Sequence, residues 1–262
     1  MMRLRAVYGL CGLLLAWPIA PANAEGLNID RLDEPAIATL QSTLQHLQPL
    51  ITEKKKDGTA NLLTWEQLYE PLPAEEQAFL DAFRQVKAEA LGSTSRYFGE
   101  IRGGEALVPV GSETVKKPEG IILLDPQFLP SGVFDAYHGM MQAMKLELGR
   151  RLYVESGYRA SAYQLYLFLF YLPKHGYSIR ETNRFVALPG YSEHGYPPRQ
   201  AIDFINELGI NGEDHPEEFE ALPEYAWLQQ HAARFGFYLS YPRDNAQHTS
   251  FEPWHWHFER HE

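Results

Sequence analysis

Midway along this chain the spacing of its apolar residues changes, and that change limits the folds open to it. Upstream, Ile37, Leu40, Leu44, Leu47 and Ile51 recur at helical spacing behind Asp33, an N-cap residue. A second helix is expected over 74–91, with Phe79, Leu80, Phe83, Val86 and Ala90 on one face and Gly92 just past its end. Residues 99–120 are rich in Gly, Pro and charge, read as loop or short strands, and mark the boundary. Downstream, Ser131 is expected to cap a helix that closes at Gly149. A half-buried strand follows at 152–154, a turn at 155–157 and an aromatic helix over 162–172. Strands are expected at 201–205, 237–241 and 254–258, with a helix over 223–235 before the second of them. Helices first and strands later give an α+β chain: a small antiparallel sheet with helices, preceded by a mostly helical region. No internal repeat is visible.

The first residues read as an export signal. Arg3 and Arg5 precede an apolar run from Leu10 to Ala20, and Ala22-Asn23-Ala24 is an A-x-A cleavage site. A membrane anchor is the weaker reading, because the run is shorter than the ~20 residues a span needs and holds Pro18. Cys11 is the only cysteine, so a mature chain starting near Glu25 has neither disulfide nor thiolate. Any metal must be held by His, Asp or Glu. The whole chain has 34 acidic and 23 basic residues, net -11; without Arg3 and Arg5 it is about -13. That balance argues against a nucleic-acid partner. No later stretch is apolar enough for a transmembrane segment. The expected organisation is therefore a signal peptide at 1–24, a mostly helical region of unassigned role at 25–115, and a catalytic domain at 116–262.

Chemistry concentrates in three places. His194 sits in a loop rich in Pro and Gly, and Asp203 sits inside the apolar run Ala201-Ile202-Asp203-Phe204-Ile205. A carboxylate in such a strand is costly unless a partner or metal compensates it. Alone, His194 reads as a surface histidine, and Asp203 equally as a salt-bridged acid or a ligand. In Phe251-Glu252-Pro253-Trp254-His255-Trp256-His257-Phe258, alternation sends His255 and His257 one way and the tryptophans the other. Glu252 beside a ligand can accept a proton and pass it to a leaving amine. Ser156-Gly157-Tyr158-Arg159 offers an Arg for a substrate carboxylate or oxyanion, or equally a structural bridge. Together these supply two His and one Asp, a base and a cation, the donor set of an open catalytic zinc site. Neither a G-x-S-x-G elbow nor an HExxH or P-loop is present.

The ordered set Ser156-Gly157-Tyr158-Arg159, Gln164, Pro189-Gly190, Ser192-Glu193-His194, Ala201-Ile202-Asp203, Trp227-Leu228, Phe235-Gly236-Phe237, Tyr241-Pro242 and Glu252-Pro253-Trp254-His255-Trp256 resembles the VanY-type D-alanyl-D-alanine carboxypeptidases, of the LAS group of zinc peptidases. The resemblance covers roughly residues 120–259. It implies a small LAS-type α+β core, with zinc held by His194, Asp203 and His255. It further implies Glu252 as catalytic base and Arg159 as the substrate or transition-state arginine, with Ser192 and Gln164 on the substrate side. The implied partners are peptidoglycan stem peptides ending in D-amino acids. Two departures stand out. The stretch between His194 and Asp203 is longer than the family's by two residues, with a bulge at 195–200 that includes Tyr196, Pro197, Pro198 and Arg199. The family commonly has Arg after the last Trp, where this chain has His257, a further candidate for substrate contact.

The expected function is an exported, periplasmic zinc D,D-carboxypeptidase. An L,D-carboxypeptidase or cross-link endopeptidase of the same chemistry is the nearest alternative, and a wall-binding protein without activity is the third.

Overall fold

The computed structural model describes residues 26–100 and 106–259. The expected signal peptide falls outside the described residues.

Three helices open the described chain. In α1 (Glu34–Lys56) Asp33 caps the first turn, its carboxylate accepting from Ala36 N–H at 2.9 Å. Its inward face carries Ile37, Leu40, Leu47 and Ile51, as the spacing predicts. After α2 (Trp65–Tyr69), α3 (Ala74–Gln85) stops earlier than expected. Val86 is extended, and a 3-10 turn over Ala88–Leu91 ends at Gly92 in the left-handed region. The break frees Ala88 N–H to donate to the Tyr191 hydroxyl at 3.2 Å, a tertiary bond that a continuous helix would forbid.

Two small antiparallel ribbons follow, β1 (Leu107–Pro109) with β4 (Phe128–Pro130), and β2 (Thr114–Lys117) with β3 (Gly120–Leu123). Helix α4 (Ser131–Leu148) ends at Gly149 as expected, but Ser131 makes no capping bond and Pro130 occupies the cap position. The remaining helices are α5 (Ser161–Tyr171), α6 (Ile179–Thr182), α7 (Pro216–Glu220) and α8 (Pro223–His231). The remaining strands are β5 (Tyr153–Ser156), β6 (Ala201–Ile205), β7 (Phe237–Leu239) and β8 (His255–Phe258).

These last four strands form one antiparallel sheet in the order β5-β6-β8-β7. Asp203 pairs with His255, Ile202 with Trp256 and Ala201 with His257. On the neighbouring edge Ser156 pairs with Asp203 across an irregularity between Val154 and Ser156. Directly paired residues share a face. One face therefore carries Ser156, Asp203, His255 and His257. The other carries Val154, Ile202, Phe204 and Trp256, which are buried against Tyr137, Met140, Met141 and Met144 of α4. Helix α5 instead shares a second core with the N-terminal helices, where Leu165, Phe168 and Leu169 meet Leu40, Leu80 and Phe83. The chain is thus α+β, with a helical N-terminal part packed on the side of the sheet's functional face. Among the described residues no helix is long and apolar enough to cross a membrane.

Candidate metal centre

His194, Asp203 and His255 each offer a ligand atom, and these atoms lie within 4.8 Å of one another. His194 arrives on a 3-10 turn, Glu193–Gly195, that follows the loop through Gly190. Asp203 is the middle residue of β6, and His255 opens β8. The turn before β8 is pinned by His255 N–H donating to Glu252 O (3.1 Å) and by the Trp256 indole N–H donating to Pro253 O (2.9 Å).

The hydrogen bonds around the two imidazoles test whether a cation fits. His194 Nδ1 lies 2.8 Å from Gly157 O, so it carries the proton, and Nε2 turns its lone pair to Asp203 Oδ2 at 3.1 Å. Burial pushes His194 below the usual histidine range, which favours that neutral form. His255 Nε2 faces Glu193 Oε2 at 3.1 Å, while its Nδ1 faces Asp203 Oδ1 at 2.9 Å. Each ring is anchored by its outer nitrogen and directs the other at one carboxylate. Lone pairs facing carboxylate oxygens repel unless a cation lies between them. Without a metal, a proton must serve. Burial opposes charge on His255, yet Asp203, Glu193 and Glu252 outweigh it and push the ring up to about 10. Burial would raise Asp203 too, but His194 and His255 hold it well below the usual carboxylate range. Two nitrogens and one oxygen, each oriented by a further partner, suit a zinc-type ion with an open position.

Beside this group stand Arg159 and Glu252. Arg159 Nη2 lies 3.6 Å from Asp203 Oδ2 and donates to Ser156 Oγ at 2.8 Å, while Nη1 donates to Gln164 Oε1 at 2.9 Å. Gln164 is buried, and its amide N–H donates to Ala187 O at 2.6 Å, so it orients Arg159. Glu252 Oε2 lies 3.7 Å from His255 Nδ1, and burial pushes its carboxyl up to about 8. Ser192 is buried immediately before the His194 turn.

His257, a candidate for substrate contact, stands in a hydrogen-bonded network beside the group. It is as buried as His194 and His255, and its Nδ1 meets Ser240 Oγ at 2.7 Å. The 3-10 turn Pro197–Arg199 packs over this end of β8 and closes it off. The bulge at 195–200 is partly buried, with Pro198 exposed. Tyr196 stacks on Phe98 with ring centroids 4.8 Å apart, and Arg199 Nε donates to Glu193 Oε1 at 2.7 Å.

Glu193 is the residue that sequence reasoning missed. Its carboxylate accepts from Arg199, from Ser240 Oγ (2.5 Å) and from the ring of His255. Burial works against its charge, but His255, His257 and Ser240 bring it down to about 2. It stands beside His194 in sequence, yet the histidine it serves lies 62 positions later. Its side-chain direction follows only from the turn at 193–195.

The family model described as "VanY: D-alanyl-D-alanine carboxypeptidase" matches residues 127–261. The carboxypeptidase YodJ of Bacillus subtilis (strain 168), itself described as putative, is 28% identical over 192 residues, 62% of this chain and 66% of YodJ. The bifunctional D-Ala-D-Ala dipeptidase and D-Ala-D-Ala carboxypeptidase VanXYC of Enterococcus gallinarum is 29% identical over 137 residues, 50% of this chain and 67% of VanXYC. A solved structure of the LdcB LD-carboxypeptidase aligns with TM-score 0.43 and 29% identity, covering 50% of this chain and 59% of that one. With its family match taking in half the sequence and both strands of the His-Asp-His group, the chain belongs to the VanY family of D-alanyl-D-alanine carboxypeptidases.

Proposed function

We propose that the protein is an exported, zinc-dependent carboxypeptidase that removes the terminal D-alanine from peptidoglycan stem peptides. The observation that carries this reading is the convergence of His194 Nε2, His255 Nδ1 and the Asp203 carboxylate, with both outer imidazole nitrogens already engaged. The names of VanXYC and of the family support the D-Ala-D-Ala substrate. The basic, apolar and A-x-A pattern at 1–24, read as a signal peptide, supports export to the periplasm, and the match at 127–261 supports a peptidase domain over about 116–262.

Zinc held by His194, Asp203 and His255 would supply Lewis-acid polarisation of the scissile carbonyl and of the attacking water. The protein's own groups do the rest. Glu252, buried with Oε2 3.7 Å from His255 Nδ1, accepts a proton as the bond to carbon forms and delivers it to the departing amine. Arg159, held by Ser156 and Gln164, pairs with the oxyanion or the substrate carboxylate. Ser192 stands on the substrate side. Gln164 acts through Arg159, and His257 acts within the Ser240 network.

The test is mass spectrometry of muropeptides after digestion by the zinc-loaded protein. Loss of one D-alanine from pentapeptide stems is expected. Loss from tetrapeptide stems alone would reassign the enzyme as an L,D-carboxypeptidase, and no cleavage would overturn the reading.

A further inference from the structure

The three candidate ligands are not held alike. Asp203 and His255 face each other across paired strands, so the sheet fixes their separation. His194 stands on the 3-10 turn Glu193–Gly195, in a loop outside the sheet. That turn is tied to the Ser156–Arg159 segment: His194 O accepts from Arg159 N–H at 3.0 Å, and His194 Nδ1 donates to Gly157 O at 2.8 Å. The loop before it is rooted elsewhere. Leu188 and Tyr191 are buried in the core shared with the N-terminal helices, together with Ala88 and Leu91, and not in the core behind the sheet.

The N-terminal segment 88–98 grips this loop on both sides of His194. Ala88 N–H donates to the Tyr191 hydroxyl at 3.2 Å, and Tyr97 packs edge-on against the Tyr191 ring with centroids 5.1 Å apart. Phe98 N–H donates to Gly190 O at 2.8 Å, and the Phe98 ring stacks on Tyr196 with centroids 4.8 Å apart. Gly190 is at φ +80, and a Cβ there would run into the Tyr97 ring, so this close approach requires glycine. The middle of the segment is itself fixed, Ser93 Oγ donating to Gln247 O at 3.2 Å and Thr94 Oγ1 to Ala246 O at 2.6 Å. These contacts bracket residues 190–196, and they come from a part of the chain outside the family match at 127–261.

We propose that segment 88–98 is a clasp that positions His194 for the metal, with Tyr97 and Phe98 as positioning residues. The proposal rests on the zinc reading above and goes beyond it, because it makes the N-terminal region part of the metal centre's support. The physical reason is preorganisation. A ligand on a loose loop must be ordered when the ion binds, and that ordering subtracts from affinity. A ligand already held in place loses little. The sheet holds Asp203 and His255 in this way, and the clasp does the same for His194. Tyr97 and Phe98 act through Gly190, Tyr191 and Tyr196, so replacing them leaves the ligand set itself intact.

The test measures zinc affinity, by competition with a chromophoric chelator, in the wild type and in Phe98→Ala, Phe98→Tyr and Leu47→Ala. An aromatic pair contributes about two- to tenfold, and each side chain that must be ordered anew adds a similar factor. Phe98→Ala should therefore weaken zinc binding by about tenfold, while Phe98→Tyr, which keeps the ring, should stay within about twofold of wild type. Leu47 is buried in the same N-terminal core but takes no part in the clasp. Leu47→Ala should lower the melting temperature and leave zinc affinity unmoved. Affinity within about twofold of wild type in Phe98→Ala, no recovery in Phe98→Tyr, or an equal loss in Leu47→Ala overturns the clasp and leaves the zinc reading intact. If the wild type binds no zinc, that reading fails on its own. Amide hydrogen exchange in the metal-free protein then decides the clasp. The N–H groups of Tyr191, Gly195 and Tyr196 donate to the carbonyls of Leu188, Ser192 and Glu193. They should exchange about tenfold faster in Phe98→Ala than in Leu47→Ala, and equal rates overturn the clasp.

Discussion

Replacing Glu193 by Gln probes the least expected part of the site. The change keeps shape but removes a charge that three groups address: Arg199 Nε at 2.7 Å, Ser240 Oγ at 2.5 Å and His255 Nε2 at 3.1 Å. An amide can accept on one oxygen only, so one donor faces an N–H group. For metal binding, the loss is that of a carboxylate orienting a ligating imidazole, about 10–100-fold in affinity. That corresponds to about 1.4–2.7 kcal/mol. For stability, removing one member of a buried pair costs about 3–5 kcal/mol when its partner is stranded. Here Arg199 keeps 31% of its side-chain surface and also reaches Glu259, so the cost should fall below that range, about 2 kcal/mol. Zinc affinity by competition with a chromophoric chelator and thermal melts with and without zinc read the two effects separately. Affinity within twofold of wild type would refute the claim that Glu193 fixes the His255 ring.

His255→Ala should abolish stoichiometric zinc while the protein stays folded, measured by elemental analysis and circular dichroism. Glu252→Gln should retain zinc and lose at least ~10²-fold in turnover on a stem pentapeptide; near-normal turnover removes Glu252 from the role of base. In the metal-free protein the His255 ring is raised from 6.5 to about 10, so the stability it contributes is complete below 6.5 and lost as pH rises toward 10. Zinc should therefore displace about one proton at neutral pH, and calorimetry in buffers of different ionisation enthalpy would show none if His255 were neutral. Arg199→Ala should weaken zinc binding in the same sense as Glu193→Gln but less, and adding His257→Arg should restore part of the loss, measured in the same chelator competition.

Much of the fold was legible because its signals are local. The Ile37–Ile51 stripe, Gly149 and the apolar run at 201–205 each announce an element through spacing or a terminator, and each holds in the structure. The misplaced limits share a cause. Val86 and Ser131 have suitable local chemistry, but Tyr191 claims the Ala88 amide and Pro130 takes the cap position, and neither contact is visible along the sequence. The site divides the same way. Strand alternation puts Asp203 and His255 on one face, and the register Asp203 to His255 makes them neighbours. Alternation also sends His257 to that face, but whether a face is open depends on what covers it, and the turn at 197–199 covers His257.

The two departures read from the resemblance, at 195–200 and at 257, meet at that turn. Glu193 is a buried carboxylate, 7% exposed at the side chain, and needs a nearby cation. Position 257, after the last Trp, is a histidine that burial holds down to about 4 and so leaves neutral. His257 is therefore a weaker source of positive charge for Glu193 than an arginine would be. The longer segment after His194 supplies one. It closes as two 3-10 turns, is held at Tyr196 by Phe98, and carries Arg199 to 2.7 Å from Glu193 and 3.4 Å from His257 Nδ1. The segment thus brings a guanidinium from the loop beside position 257. Without the loop arginine Glu193 would keep only the His255 ring and Ser240 Oγ as hydrogen-bond partners, and guanidiniums at both 199 and 257 would crowd one carboxylate with two cations. The metal ligands themselves need not shift, because His255 still finds its second nitrogen bound to Glu193 Oε2.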